Sequence, residues 1–407
     1  MKIAFLDSIF PGLTTTFLNR EFEYLKDRSS IDVHPIAMKR PQGDFINQEY
    51  QDYIGITTYL RPDCSSSILL YNLIAFFTQP LHYLFVLRVI FRFAHRMSIV
   101  NVIKLYFHFL CGIYLSYYLK KNHFDAIHAH FTTATNIALV AHLFSKIPYT
   151  FTLHASADLY LEDVLLDLKV RYARKVITNN RYNIDHINLI TYYRYREKIH
   201  LIYNGLNLDH FHDSAHKIEF GKPPQFLSVG SFVGFKGYPT VIKALDKLKK
   251  NGFSFKYRII GGGSSAEKSM IERLVKEYGF EENVILLGRQ PFAVVRSEMV
   301  NCDALIMACE TFQNGEKDGL PNAIIEAMLL RRPVVSTYIS DIPNIIQHGI
   351  NGYLFPEKCD EALADILKYF YSHYGDTSEV VERAHQLAVQ TFNAEVNYKA
   401  LEALLIE

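Results

Sequence analysis

Glu316-Lys317-Asp318-Gly319-Leu320-Pro321-Asn322-Ala323-Ile324-Ile325-Glu326-Ala327-Met328 lies between two short apolar runs, residues 304–307 and 334–336. Runs of that length read as buried strands, and the segment between them as a loop and a helix. Gly319 permits a tight turn. Pro321 fits the first turn of the helix, and Ile324, Ile325, Met328 and Leu329 form its buried stripe. Strand, helix and strand in that order make a βαβ unit, so the two strands run parallel in one sheet. The helix start leaves backbone N–H groups free and suits an anion such as a diphosphate. Asp318 stands just before that start and Glu326 lies eight residues on. On the residues alone, an acid favouring the positive end of the helix dipole explains Asp318 as well.

The same rhythm extends in both directions. Residues 226–229, 257–260, 284–287 and 353–355 are further strand candidates, and 240–251 and 267–278 have helical periodicity. In the first half, residues 3–6, 31–37, 126–130, 149–153, 176–178 and 201–203 read as strands. Phe17, Leu18, Phe22 and Leu25 recur at helical spacing between the first two. The fold class is therefore α/β, with two doubly wound, Rossmann-like domains. Their expected bounds are 1–208 and 209–390, joined through a polar linker at 209–224. Helices at 379–389 and 394–406 close the chain, and residues 391–407 are expected to return to the first domain. In such folds ligands sit beyond the carboxyl ends of the strands. The cleft between two facing domains is then the default site.

Composition narrows the function. The chain has 407 residues, 49% of them apolar and 21% charged, enough for a large core. A net charge of +1 gives no basic field for a nucleic-acid partner. The five cysteines form no C-x-x-C pair and read as free thiols in a reducing, cytoplasmic compartment. Met1-Lys2-Ile3-Ala4-Phe5-Leu6 reaches Asp7 too soon for a secretory signal and reads as the first strand.

Residues 64–124 contain no Asp or Glu but carry Arg88, Arg92, Arg96, Lys104, Lys120 and Lys121 among aromatic and aliphatic residues. The three arginines are four apart and are expected on one helix face. This composition suits a helix on an anionic membrane surface. A helical hairpin packed on the sheet is the plain alternative. A span over residues 65–87 is a third, opposed by Asn72, Gln79, Pro80 and His82.

The acid, seven residues and Glu326 resemble the donor-binding motif of retaining glycosyltransferase family four, whose fold is GT-B. The resemblance continues through Pro333-Val334-Val335-Ser336-Thr337, Ile342-Pro343-Asn344-Ile345-Ile346 and His348-Gly349-Ile350-Asn351-Gly352. Upstream it includes Val229-Gly230-Ser231-Phe232-Val233-Gly234-Phe235-Lys236-Gly237 and Ile260-Gly261-Gly262-Gly263. In the first half, Phe10-Pro11-Gly12-Leu13-Thr14-Thr15-Thr16-Phe17, His128-Ala129-His130-Phe131 and Phe151-Thr152-Leu153-His154-Ala155 are similar to the branch that builds exopolysaccharides such as colanic acid.

The resemblance implies roles at matching positions. Glu326 would bond the ribose hydroxyls of a nucleotide-sugar, and Asp318 would stand beside its sugar. Gly319, Leu320, Pro321, Asn322 and Ala323 would place backbone amides on sugar and phosphate. Lys236 would pair with the diphosphate, and His154 would meet the transferred sugar. Gly12 would let backbone approach the donor phosphates or the acceptor. Ser231 stands where the family often has Arg, and Arg289 is a candidate substitute. Without the resemblance, Lys236 reads as an exposed lysine and His154 as a core histidine. His128 and His130 share a strand face and suggest a metal, but the sequence shows no third ligand, so no metal or other cofactor is expected.

The expected function is a retaining, metal-independent transfer from a nucleotide diphosphate sugar to a lipid-linked saccharide, in surface polysaccharide biosynthesis at the inner membrane face. Two alternatives stay open: a nucleotide-sugar epimerase of the same fold, and a non-catalytic donor-binding partner subunit.

Overall fold

The structure, a computed structural model, describes residues 1–12, 15–42, 49–61, 63–154, 164–211, 223–313, 315–373 and 377–407. Leu13, Thr14 and Ala155 of the motifs above, and positions 212–222 of the linker, lie outside the described residues. The chain divides into two compact units, Met1–Gly205 with Ala394–Glu407, and Leu206–Asn393.

The sheet of the first unit contains β1 (Lys2–Ile9), β2 (Asp32–Lys39), β3 (Thr58–Arg61), β4 (Ala126–His130), β5 (Tyr149–Leu153), β6 (Val176–Thr178) and β7 (Ile199–Leu201). Their order is β3-β2-β1-β4-β5-β6-β7, and every pairing is parallel. Side chains alternate across the sheet, so β1 feeds two cores. Ile3 and Phe5 pack with Leu18, Phe22 and Leu25 of the helix Thr16–Arg28. Ala4 and Leu6 join the opposite core with Phe109 and Ile113 of the helix Ile99–Lys121 and Ile137 and Val140 of the helix Phe131–Ser145. The helix Ala394–Ile406 belongs to the first core through Tyr398, Leu401 and Leu405. Burying three such side chains contributes roughly 1.5–3 kcal/mol each.

The second unit repeats the plan with β8 (Gln225–Val229), β9 (Lys256–Ile260), β10 (Val284–Gly288), β11 (Ala304–Met307), β12 (Val334–Thr337) and β13 (Tyr353–Phe355). Their order is β10-β9-β8-β11-β12-β13, again all parallel. Strand order reverses between β1 and β4 in one unit and between β8 and β11 in the other. Loops leaving these strands diverge there, and ligands of doubly wound sheets bind at that point.

Two strands differ from the sequence reading. β3 was not expected: it is a four-residue edge strand with only Tyr59 and Leu60 buried. β7 covers 199–201 rather than 201–203, because Ile199 pairs with Val176 and His200 lies inside the ladder.

The acid-free segment folds as helices Ser65–Thr78, Pro80–Ile90 and Ile99–Lys121. The first two are bent by 115° at Gln79-Pro80, which breaks the span considered over residues 65–87. The expected arginine face is also interrupted. The α-helix ends at Ile90, so Arg88 lies on it, while Arg92 and Arg96 lie in the tighter turn Phe91–Arg96, where Phe93 leaves helical geometry. Ile99–Lys121 is long and apolar enough to cross a membrane, and half of its most apolar window is buried in the protein. Leu69, Leu73, Phe77, Leu81, Phe85 and Ile99 are exposed on these helices, up to 84% for Leu81. All six basic side chains of the segment are exposed too.

Candidate active site

In the second unit, the loop after β8 and the loop after β11 bring a cation and an anion together. Lys236 ends a short helical turn, Gly234–Lys236, and pairs with Asp318. The next residue, Gly237, has φ of 64°, and a Cβ there would stand 1.8 Å from the Ala308 carbonyl oxygen. No other side chain fits that turn, which starts the helix Tyr238–Lys250. The side chains of Lys236 and Asp318 keep 12% and 19% of their surface exposed. Burial pushes the Lys236 ammonium down, but Asp318, with the Cys309 thiol, outweighs it and raises the pKa above the ordinary lysine value. Burial pushes the Cys309 thiol itself up to about 12. Lys236 is thus a permanent cation whose present counter-charge is one carboxylate.

Asp318 leads to the helix Asn322–Leu329. Pro321 sits at its cap in an extended conformation, one place before the first turn expected for it. No side chain caps the helix; the Ile324 N–H donates to the Pro321 carbonyl at 3.0 Å, and the N–H groups of Asn322 and Ala323 precede the first intrahelical bond. Ala323, Ile324, Ile325, Ala327, Met328 and Leu329 are buried. Asn322 and Glu326 are the half-exposed positions, one turn apart on a single stripe. Gly319 is buried and its carbonyl accepts from the Asp341 N–H at 3.3 Å, while Leu320 is half-exposed. Gly319 does not use a left-handed backbone; Gly315 does, four residues earlier.

Arg289 follows β10 and lies against Gly262, whose missing Cβ would meet its side chain at 2.6 Å. The Gly262 carbonyl in turn accepts from the Phe232 N–H at 3.0 Å, next to Ser231, which is exposed. Arg289 is therefore separated from Ser231 by the Gly262 loop that follows β9. Glu310 was missed by sequence reasoning. It follows β11, accepts from Thr240 Oγ1 at 3.3 Å, and burial raises its pKa. Its only signal is its place after a strand at the switch point.

In the first unit, the Gly12 N–H donates to Asn19 Oδ1 at 2.8 Å and its carbonyl accepts from Asn19 Nδ2 at 2.9 Å. Asn19 engages both polar groups, so the glycine fixes the loop on the helix. His154 follows β5 and is buried; His130 Nδ1 lies 2.9 Å from its Nε2. His128 Nδ1 lies 2.8 Å from Thr150 Oγ1, and its Nε2 3.2 Å from Thr152 Oγ1. Glu21, from the helix Thr16–Arg28, enters beside both rings: its Oε1 is 3.2 Å from His130 Nε2 and 3.5 Å from His128 Nε2.

Burial pushes Glu21 up, yet His130 and His128 beside it hold its carboxyl well below the usual range. Burial, with His130 next to it, pushes His128 down to about 4. His154 is likewise well below the ordinary histidine value through burial and His130. Glu21 is the third group near His128 and His130 that the sequence did not reveal. Its signal was a carboxylate between Leu18 and Leu25 on the apolar stripe. The three residues can each turn one ligand atom within 4.8 Å of the others, close enough to hold a metal ion. Hydroxyl groups of Thr150 and Thr152 already approach both nitrogens of His128.

Residues 211–387 match the family described as Glycosyl transferases group 1, and residues 75–210 match Glycosyltransferase Family 4. A protein of Salmonella typhimurium named for colanic acid biosynthesis, the glycosyltransferase WcaL, is 32% identical over 210 residues, 51% of each chain. The match thus spans about half the length of that curated relative. In the solved glycosyltransferase of Rickettsia africae the TM-score is 0.73 at 16% identity, covering 99% of this chain and 97% of that one. Anabaena HepE, in complex with UDP and glucose, gives 0.72 at 19% identity over the whole of both chains. The chain therefore has the GT-B fold and carries a glycosyl transferases group 1 domain over residues 211–387, preceded by a Glycosyltransferase Family 4 domain over residues 75–210.

Proposed function

We propose that this chain is a retaining glycosyltransferase that moves a sugar from a nucleotide diphosphate donor to a lipid-linked saccharide in exopolysaccharide biosynthesis. One observation carries the reading: Lys236 and Asp318 pair on the two loops that leave the switch point of the second unit, and Asp318 leads directly into an uncapped helix start. The likeness to a protein named for colanic acid biosynthesis and the UDP complexes of HepE support it.

In this scheme the diphosphate lies on the amides around residues 320–323, and Lys236 exchanges Asp318 for phosphate oxygens. Asp318, so released, accepts hydroxyls of the sugar, and Glu326 holds the ribose hydroxyls. The bond from the anomeric carbon to the diphosphate breaks with its electron pair on phosphate, where Lys236 and the helix start stabilise the charge. The acceptor oxygen bonds to the same face of the oxocarbenium-like sugar, and its proton passes to a phosphate oxygen. His154 contacts the transferred sugar. No resident metal takes part. The exposed apolar side chains and the six basic residues of positions 64–124 rest on the anionic inner surface of the cell membrane, where a lipid-linked acceptor is presented.

The test is incubation with a panel of nucleotide-sugars, with and without polyprenyl-linked saccharides, following nucleotide release and product. Release coupled to acceptor glycosylation is expected, undiminished by EDTA. Epimerised sugar formed without acceptor, or no release with any donor, would replace this reading by one of its alternatives. Loss of transfer in EDTA with recovery in magnesium would remove the metal-free scheme.

A further inference from the structure

His128 and His130 share one side of β4, and the fold gives them the third group that their spacing in the chain lacks. Glu21 lies on the buried stripe of the helix Thr16–Arg28, with Leu18, Phe22 and Leu25. A carboxylate sealed among apolar side chains is costly unless it is paired or coordinates a metal. Its Oε1 stands 3.2 Å from His130 Nε2 and 3.5 Å from His128 Nε2. Ligands held tetrahedrally at about 2.0–2.1 Å from an ion lie about 3.3–3.4 Å from one another, so both separations suit one shared ion.

Directions agree with distances. Glu21 Oε1 and His130 Nε2 are both buried, and neither makes a hydrogen bond among the described residues. At 3.2 Å the separation suffices for one, so it is the angle that fails. Metal ligands are arranged in this way, each aimed at the ion and not at its neighbour. The outer nitrogens are held as well. His128 Nδ1 lies 2.8 Å from Thr150 Oγ1, which itself donates to the Ile127 carbonyl at 3.5 Å. His128 therefore donates from Nδ1 and presents a lone pair at Nε2. His130 Nδ1 lies 2.9 Å from His154 Nε2, which accepts its N–H when the other nitrogen of His130 takes an ion. Ligating histidines are oriented by such a partner on the far nitrogen. Thr152 Oγ1 is a neutral oxygen 3.2 Å from His128 Nε2, at the spacing of a fourth ligand.

We propose that Glu21, His128 and His130 bind a zinc ion that ties the helix Thr16–Arg28 to β4. Two imidazoles and one carboxylate favour zinc over magnesium or calcium, which take oxygen ligands. The ion enters as the chain folds, because the finished site is sealed. It releases to water the proton that otherwise balances Glu21 against the histidines. Being sealed, it is held through a chelator wash of the folded chain and offers no position to a substrate. It therefore stays outside the transfer scheme, and the inference does not depend on the glycosyltransferase reading.

The experiment is metal analysis by plasma mass spectrometry of the full chain, produced in zinc-supplemented medium and gel-filtered. About one zinc per chain is expected in the wild type, and less than about a tenth of that in Glu21→Gln and His130→Gln. Wild-type chain produced in zinc-depleted medium should melt at least about 5 °C below the zinc form, while the two variants melt alike from both media. Production in cobalt should give the wild type the strong visible bands of a tetrahedral ion. A wild-type chain without zinc would overturn the proposal. So would zinc retained by both variants, which places the ion elsewhere. If neither variant folds, the proton spectrum of the cobalt form decides: paramagnetically shifted imidazole N–H signals from two histidines are expected, and their absence counts against the site. None of these readouts needs a substrate, so failure of every transfer assay would sink the enzyme reading separately.

Discussion

Both units place ionisable groups around the switch point of a parallel sheet, yet they treat them in opposite ways. In the second unit, Lys236 and Asp318 remain partly exposed and each has the other as counter-charge. In the first, the side chains of His128 and His130 are fully buried, and Glu21 keeps 7% exposure. A pair that water reaches can trade partners with a ligand at smaller cost than a sealed one, because water stabilises the intermediate state. A sealed cluster cannot trade partners without stranding a charge. The comparison therefore assigns ligand binding to the open pair and orientation to the sealed one.

Lys236→Ala gives the hardest test of that division. A preorganised cation facing developing negative charge is worth roughly a hundred- to a thousandfold in rate. We expect kcat to fall by that factor, with only a moderate fall in melting temperature, since Asp318 loses its counter-charge but keeps 19% of its side chain exposed to water. A large loss of stability with little loss of rate would reverse the assignment. Glu326→Ala comes next. Charge-assisted hydrogen bonds contribute about 1.5–3 kcal/mol, so donor affinity in calorimetry should fall roughly ten- to a hundredfold. Unchanged affinity would remove Glu326 from the ribose.

The sealed cluster should answer to acid instead. His128 takes a proton near 6.5 when unfolded but only near 4 when folded. Between these values the unfolded chain holds a proton that the folded chain lacks. Stability from this site is thus complete above about pH 6.5 and declines as pH falls toward 4. Glu21, held below the carboxylate range, extends the loss to still lower pH. A fall in melting temperature on the order of 5 °C from pH 7 to pH 5 is expected. His128→Gln should flatten that slope, and a flat wild-type profile would show that the cluster is open to water.

The two sites also differ in how they are written in the chain. Asp318, the helix start and Glu326 lie within nine consecutive residues, and their geometry follows from one turn and one helix. The parallel sheets were equally legible, since strands buried on both faces are continuous apolar runs such as 304–307. Glu21, His130 and His154 come from a helix, a strand and a strand end that only the folded sheet brings together. Edge strand β3 escaped because four residues with two of them buried have no period to read. The arginine face failed because spacing by four assumes a continuing helix, and this one stops at Ile90.

The smallest effect concerns the first unit's exposed side. Arg88, Arg92 and Arg96 do not share one α-helix, so they act as separate charges near a surface rather than as one stripe. Each basic residue close to an anionic bilayer is worth about 1 kcal/mol, or roughly fivefold in binding. Arg88→Ala should weaken sedimentation with phosphatidylserine vesicles by about that factor and leave phosphatidylcholine vesicles unaffected. High salt should erase the difference, because the screening length falls to about 3 Å at 1 M. Leu81→Ser should weaken binding to both vesicle types, since its loss is of apolar area and not of charge. If neither variant changes vesicle binding, the exposed apolar side chains on these helices belong to another partner, while the donor site of the second unit stands unaltered.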